Sequence, residues 1–171
     1  MAKTKNQLEA LLDREAIRDL PVRYCDRVWH DDIGGLVDLF AKEGEFVIVI
    51  DGKETAAKGP KALKALYEQG LSIKPRPYIH NHVVELVDGK RAIGRCYLAL
   101  HSAKQHMAYI GAGYYADEYV KVKGEWKFAR RHFTALRIDD SPVTAAPPRK
   151  AATPKPRRTR PTKRYDAPPI D

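Results

Sequence analysis

The sequence predicts an α+β fold: a cone in which a curved antiparallel sheet wraps around a long N-terminal helix and encloses an apolar pocket. Two parts of the chain favour it, an amphipathic opening over residues 8–40 and a closing pair of strands within residues 110–133. Helical patterns come first and a strand meander comes last, which is the order of an α+β domain. Side chains from both parts would face one cavity, so we expect the functional site inside it.

The first predicted element is a long helix. Its apolar side chains recur near a period of 3.6 residues, which predicts a single apolar stripe facing the core. The stripe consists of Leu8, Leu11, Leu12, Ile17, Leu20, Tyr24 and Val28. Pro21 should bend or interrupt this helix. Asp31 and Asp32 can cap a second, short helix over residues 33–40.

The middle of the chain predicts a hairpin and a third helix. Residues 45–50 (EFVIVI) have the composition of a strand, and the pair Asp51 and Gly52 is typical of a tight hairpin turn. The partner strand should cover residues 53–58. Residues 61–69 predict a helix that follows a proline at its first turn.

Four long strands are predicted in the second half. They cover residues 78–87, 92–102, 106–122 and 125–138. Turn residues separate the strands, which favours antiparallel pairing. Gly111 and Gly113 lie inside the third strand pattern and predict a bulge that curves the sheet.

Length and charge place the domain boundary near residue 140. A chain of 171 residues with 43% apolar content is enough for one domain. The net charge is +9, but residues 141–171 carry eight Lys or Arg against two Asp and eight of the twelve prolines. We therefore predict a pocket domain over residues 1–140 and a disordered basic tail over residues 141–171. Because only +3 remains on the body, we do not expect a nucleic-acid partner.

Cysteine usage and the N-terminus favour the cytoplasm. Cys25 and Cys96 show neither a disulfide framework nor a CxxC spacing. The charged N-terminus lacks the apolar run of a signal peptide, and no stretch reaches the roughly 18 apolar residues of a membrane span. We expect a cytoplasmic protein with reduced thiols and no membrane partner.

A series of segments along the chain carries a family resemblance. The segments are residues 16–20 (AIRDL) with Tyr24, residues 31–40, residues 80–89 (HNHVVELVDG), residues 92–98 (AIGRCYL) and residues 114–133. Over residues 8–138 this series resembles the SnoaL-like branch of the nuclear transport factor 2-like superfamily. That branch includes scytalone dehydratase, bile acid 7α-dehydratase and hexachlorocyclohexane dehydrochlorinase. The resemblance implies cofactor-free elimination or isomerisation in a homo-oligomer, a trimer or a dimer.

The residues that the resemblance assigns to catalysis are only partly present. In the dehydratases an Asp, five residues after the helix tyrosine, orients a His that acts as base. The matching positions hold Trp29 and Pro77, so both members of the dyad are missing. Tyr24 matches the tyrosine of the bile acid enzyme, and Arg137 lies close to an arginine late in the last strand of the relatives.

A replacement chemistry must therefore come from other polar side chains. Our catalytic candidates are Tyr24 as acid, His80 or His101 as base and Arg137 as the partner of an oxyanion. His80 lies three residues beyond the lost His position and is expected to share a strand face with His82. The alternative for each histidine is a packed or surface role.

Aromatic residues supply the candidates for substrate binding. They are Trp29, Tyr97, Tyr109 and His132. Trp29 could stack on an aromatic substrate or fill the space of the missing Asp. Metal binding is not expected, because His80 and His82 have no third ligand at a suitable spacing. No cofactor loop is expected, because the two glycines near residue 112 lie within a strand.

The leading hypothesis is a cofactor-independent lyase or isomerase. It would remove water or formaldehyde from a small hydrophobic, aromatic compound such as a lignin-type diarylpropane. The alternatives are a non-catalytic small-molecule binding module and an accessory subunit of a ring-hydroxylating dioxygenase. The sequence leaves open which strand faces line the pocket, since one bulge reverses every later side chain.

Overall fold

The computed structural model describes residues 2–139, with side chains from residue 5 onward. The elements are α1 (Ala2–Trp29), α2 (Ile33–Val37), β1 (Phe40–Ile50), β2 (Lys53–Lys58), α3 (Gly59–Gly70), β3 (Pro75–Leu86), β4 (Arg91–Ser102), β5 (Ala108–Val122) and β6 (Glu125–Ile138). A long helix packed against a curved sheet confirms the predicted α+β class. The predicted basic tail lies outside the described residues.

The six strands form one sheet in the order β2-β1-β6-β5-β4-β3. All neighbours are antiparallel except β1 and β6, which run parallel and place Phe46 opposite Arg131. The predicted hairpin between β1 and β2 is confirmed. Its turn residues Asp51 and Gly52 have φ angles of 50° and 75°, as the favoured two-residue turn requires.

The helix α1 packs its second half against the sheet. Ile17, Leu20, Tyr24 and Val28 are buried there. The prediction of a single buried apolar stripe was wrong for Leu8, Leu11 and Leu12. Their side chains are 55%, 57% and 59% exposed. At 100° per residue these leucines lie roughly opposite the buried stripe. The helix also continues through Pro21, which is buried, so the predicted interruption at that position was wrong.

The second helix is shorter than predicted. Asp32 caps it as expected, because Asp32 Oδ1 accepts a hydrogen bond from the Gly35 amide at 2.8 Å. The helix ends at Val37, and Phe40 already begins β1. The Phe128 amide donates to the Leu39 carbonyl at 2.9 Å, so pairing with β6 ends the helix early.

Bulges set which side chains face inward. The register of β3 against β4 shifts between Ile79 and His82. His80 is consequently exposed while His82 is half-buried. The prediction that the two histidines share a strand face was therefore wrong. The bulge predicted around Gly113 is confirmed by a register shift between Ala112 and Gly113.

Aromatic side chains fill much of the space between α1, α3 and the sheet. We call this space the interior, the sheet face that borders it the inner face, and the opposite face the outer face. The Tyr24 ring lies edge-on to Phe46, Tyr67, Tyr115 and Phe128, with centroid distances of 5.8 to 6.3 Å. Such edge-to-face pairs add to the stability given by burial alone.

Candidate functional site

A buried arginine lies at the centre of the interior. Arg131 projects from the inner face of β6 and has no exposed surface. Its guanidinium carbon lies 4.1 Å from the ring centroid of Tyr24, 3.5 Å from that of Tyr115 and 4.6 Å from that of Phe128. We call these three rings the arginine cage. Cation–π attraction is strong at such desolvated sites, so the cage compensates part of the loss of water around the charge.

The charge of Arg131 is balanced by one carboxylate. Asp117 Oδ1 lies 3.7 Å from Arg131 Nε, and both side chains are fully buried. Burial raises the pKa of Asp117 to about 6, although the charge of Arg131 and a hydrogen bond from Tyr119 act in the opposite direction. Within the described residues Arg131 Nε and Nη1 have no hydrogen-bond partner. Such donors can stabilise a negative charge that develops on a ligand.

Two further side chains extend this ion pair toward β3. The Tyr119 hydroxyl lies 3.0 Å from Asp117 Oδ2, and His82 Nε2 lies 3.1 Å from the same hydroxyl. The pKa of His82 falls to about 4, chiefly because burial disfavours the charged ring and also because Arg131 and Arg18 are positive. The imidazole is therefore neutral at neutral pH.

Tyr24 is the one predicted catalytic residue that lies in the interior. It is 3% exposed, and its ring forms one wall of the arginine cage. Burial raises the pKa of Tyr24 to about 12, and the positive charge of Arg131 only partly opposes this shift. Tyr24 is therefore a neutral phenol that can donate a proton or a hydrogen bond.

Two other catalytic candidates lie at the surface. His80 is exposed beside the β3 bulge. Arg137 is exposed near the end of β6, and its Nη2 lies 3.4 Å from Asp139 Oδ2. The structure therefore does not bring these two side chains together with Tyr24.

Three predicted residues come together in a second place. Trp29, Tyr78, His101 and Tyr109 form a continuous line of rings, which we call the aromatic row. Successive centroids are 5.3, 4.9 and 5.7 Å apart. Tyr78 and Tyr109 are about half exposed. The row thus offers a stacking surface outside the arginine cage.

The two positions of the missing dyad contact each other. Trp29 Nε1 donates to the backbone carbonyl of Pro77 at 2.8 Å. Arg76 also lies near the Trp29 ring, at 5.9 Å from its centroid. The indole therefore ties the end of α1 to β3.

The remaining candidates, Tyr97 and His132, lie on the outer face. Side chains alternate along a strand, so His132 points away from the face that carries Arg131. His132 and Tyr114 line a groove of about 360 Å³. The Tyr97 ring lies 6.0 Å from that of Tyr114.

Sequence reasoning missed Arg131, Asp117, Tyr119 and His82. The register of β5 against β6 shifts so that Glu118 faces Arg130 and Tyr119 faces Phe128. If side chains alternated without a break from the buried Phe128, Arg130 would face the interior. The structure instead buries Arg131. Counting back in twos from an inward Phe133 would have found it.

Comparison with known families identifies the family of the chain. Residues 9–132 match the model of the SnoaL-like domain. The protein belongs to this family, as its sequence resemblance implied. No curated protein sequence matches the chain significantly.

Solved structures share the fold. An NTF2-like protein with a cystatin-like fold from Novosphingobium aromaticivorans has a TM-score of 0.71 and 22% identity, over 80% of this chain and 90% of that one. LinA has a TM-score of 0.69 and 25% identity, over 83% and 99% of the two chains. The hexachlorocyclohexane dehydrochlorinase LinA-type3 from Novosphingobium barchaimii has a TM-score of 0.69 and 21% identity, over 82% and 96%. A dehydrochlorinase is thus among the structural neighbours of this protein.

The part of the chain that the structure describes has neither a membrane-spanning helix nor a cluster of metal-ligating side chains. None of its helices is long and apolar enough to cross a membrane. The described side chains also contain no group of three or more His, Cys, Asp or Glu that could hold a metal ion.

Proposed function

We propose that this protein is a cofactor-independent lyase or isomerase acting on a small aromatic compound in the interior. The observation that supports this most is the buried guanidinium of Arg131, which has two donor nitrogens without a hydrogen-bond partner among residues 5–139. The arginine cage offers ring faces and edges to an aromatic substrate. A dehydrochlorinase of the same fold supports elimination chemistry.

In the proposed reaction Tyr24 acts as the acid and Arg131 stabilises negative charge. The neutral Tyr24 hydroxyl protonates a benzylic hydroxyl, which leaves as water. The guanidinium stabilises the resulting tyrosinate or a substrate phenolate. Loss of a proton from the neighbouring carbon then gives a dehydrated, conjugated product.

A diarylpropane diol would follow a related course. Loss of the benzylic hydroxyl as water, together with loss of the phenol proton, converts a phenolic substrate into a quinone methide. Removal of the proton from the terminal hydroxyl then breaks the adjacent carbon–carbon bond and releases formaldehyde. The electron pair of that bond becomes the C=C bond of the stilbene, and the ring regains its aromaticity as a phenolate, which takes up the proton. The products are a stilbene, water and formaldehyde.

Substrate entry requires movement. Arg131 and the rings of the cage occupy the interior, with centroid distances between neighbouring rings of about 6 Å. We infer that α1 and the sheet separate locally to admit the substrate. Closure of such a site excludes water and strengthens its electrostatic interactions.

The test is to incubate the metal-stripped protein with a panel of aromatic alcohols and diarylpropane diols. Ultraviolet absorbance reports new conjugation, and a separate assay reports formaldehyde. We expect turnover by the native protein and a loss of about 100-fold or more in Tyr24→Phe. Tyr114→Phe, on the outer face, is the matched control. Full activity of Tyr24→Phe would contradict the role of Tyr24.

A non-catalytic binding module is the second candidate. The contact between Trp29 and Pro77 favours it, because both dyad positions are occupied by groups without acid–base chemistry. In this case the panel gives no product, yet aromatic ligands raise the melting temperature. An accessory subunit of a dioxygenase would instead require a separate catalytic chain for stability in solution.

We also propose that the protein forms a homo-oligomer through the outer face. Val83 and Ile93 are 65% and 45% exposed there. Acidic and basic side chains surround them in the same groove, namely Glu85, Glu118, Arg95 and Arg130. Positive and negative charges both surround an apolar centre. The same face of a second copy of the chain can therefore pair with it, apolar part against apolar part and acidic against basic side chains. The buried free thiols of Cys25 and Cys96 agree with a reducing compartment such as the cytoplasm.

A further inference from the structure

Three side chains in the interior form one directed hydrogen-bond chain. His82 of β3 contacts the hydroxyl of Tyr119 of β5, and that hydroxyl contacts Asp117 on the same strand. Asp117 and Tyr119 are 2% and 1% exposed. We call His82, Tyr119 and Asp117 the triad.

The direction of the protons follows from the donors available. Asp117 is paired with Arg131 and, as a carboxylate, only accepts hydrogen bonds. Tyr119 has one hydroxyl proton and donates it to Asp117 Oδ2. Its oxygen must then accept from His82, so His82 Nε2 carries the ring proton.

The other ring nitrogen of His82 is therefore a free base. In a neutral imidazole with a protonated Nε2, Nδ1 carries an unshared electron pair. His82 Nδ1 is buried and has no hydrogen-bond partner in the part of the chain that the structure describes. The opposite tautomer would leave a buried N–H unsatisfied, and the single hydroxyl proton of Tyr119 could then serve only one of Asp117 and His82, which is unfavourable.

We propose that His82 is the general base of the elimination, and that Tyr119 and Asp117 are positioning residues that fix its tautomer. This inference rests on the proposed function. His82 Nδ1 would take a proton from the substrate carbon next to the leaving group. The electron pair of that C–H bond forms the new C=C bond as the C–O bond breaks. The oxygen leaves as water with the proton of Tyr24, and the proton on His82 afterwards restores Tyr24 through solvent.

The triad supplies a histidine base that is oriented by an Asp, as the missing dyad would have done. Its histidine lies at a different place in β3. Pro77 holds the dyad position for histidine, and His82 lies five residues further along the same strand. The bulge after Ile79 is what turns His82 inward. His82 also packs closely on the inner face, because a Cβ at Gly94 would lie 3.0 Å from His82 Nε2.

The first experiment tests the tautomer without any substrate. Protein labelled with ¹⁵N-histidine is examined by NMR at pH 7, and the signal of His82 is assigned from His82→Gln. We expect protonation at Nε2 in the native protein and a mixture of tautomers in Tyr119→Phe. The control is His80→Gln, because His80 is exposed. This variant should leave the His82 signal unchanged. Protonation at Nδ1, or no change in Tyr119→Phe, would overturn the inference.

The second experiment measures turnover on whichever panel compound the native protein converts. We expect kcat to fall by about 100-fold or more in His82→Gln. Tyr119→Phe should lower kcat less, leave KM nearly unchanged and shift the acidic limb of the pH–rate profile. The titratable and charged groups near His82 are Tyr119 and Asp117 on β5, Arg131 on β6 and Arg18 on α1.

The two experiments separate the possible failures. Normal turnover by folded His82→Gln would overturn the base role even if the tautomer is as expected. Absence of turnover by the native protein would overturn the proposed function, and the base role with it, while the NMR result would still decide the tautomer. Melting temperatures of both variants show whether each is folded.

Discussion

At the scale of single residues, Arg131 determines the properties of the interior. A fully buried guanidinium is unfavourable unless nearby groups compensate for the lost water. Here Asp117 supplies the opposite charge and the arginine cage supplies three ring faces. Removing one member of the ion pair leaves the other charge buried alone.

Arg131→Met should therefore lower the free energy of unfolding by about 3 to 5 kcal/mol. The double variant Arg131→Met/Asp117→Leu should recover much of that loss, because it removes both charges. Urea denaturation of the two variants and the native protein measures the difference. Equal stability of the single and double variants would show that the buried charge of Asp117 is not what destabilises the single variant.

The pKa shifts of His82 and Asp117 predict opposite pH dependences. The folded pKa of His82, about 4, lies below its ordinary value of 6.5, so its contribution to stability is lost as pH falls toward 4. The folded pKa of Asp117, about 6, lies above 3.8, so its contribution is lost as pH rises through 6. In the native protein the two contributions oppose each other.

Single variants should separate these contributions. Between pH 4 and pH 6.5, the stability difference between the native protein and His82→Gln should grow with pH. The corresponding difference for Asp117→Asn should shrink over the same range. Urea denaturation at several pH values tests this, and slopes of the same sign for both variants would contradict the pKa assignments.

At the scale of elements, the bulges of β3, β5 and β6 decide which side chains face inward. Gly113 marks the β5 bulge, where a Cβ would clash with the Phe133 ring and would lie 2.5 Å from the Thr134 carbonyl oxygen. The backbone oxygen cannot move away without disturbing β6. Close packing at this point thus requires glycine.

Gly113→Ala should destabilise the protein by about 2 kcal/mol, as overpacking does elsewhere. Gly89→Ala is the matched control, because nothing lies within 4 Å of a Cβ at that position. Thermal or urea denaturation compares the two. A change of similar size in both would mean that loss of glycine itself, rather than the contact with β6, causes the effect.

The first half of α1 is attached to the sheet by a polar contact. Asp13 Oδ1 accepts hydrogen bonds from Lys121 Nζ at 2.6 Å and from Trp126 Nε1 at 2.9 Å. Asp13→Ala leaves the buried indole N–H without this acceptor, so we expect a loss of about 1 to 3 kcal/mol. Asp19→Ala, which removes an exposed pair with Arg23, should have little effect. Denaturation curves of the two variants make the comparison.

At the scale of the whole molecule, the outer face is the surface we assign to self-association. Val83→Asp places a charge in the middle of the apolar part of this face and should dissociate the oligomer. Val22→Asp is the control, because Val22 is similarly exposed, at 57%, but lies on α1. Sedimentation equilibrium gives the mass of each variant. Unchanged mass in Val83→Asp, or dissociation by Val22→Asp alone, would move the interface elsewhere.

The sequence by itself determined the fold class, the hairpin at Asp51 and Gly52, the long final strands and the place of Tyr24 on the buried side of α1. These follow from local patterns, since the apolar period and the turn residues act within a few positions. Only the tertiary structure decided that Arg131 and His82 face the interior. Each follows a bulge, and a bulge reverses the faces of the side chains beyond it. The positions of the bulges depend on pairing between strands that are distant in sequence, which a local pattern does not contain.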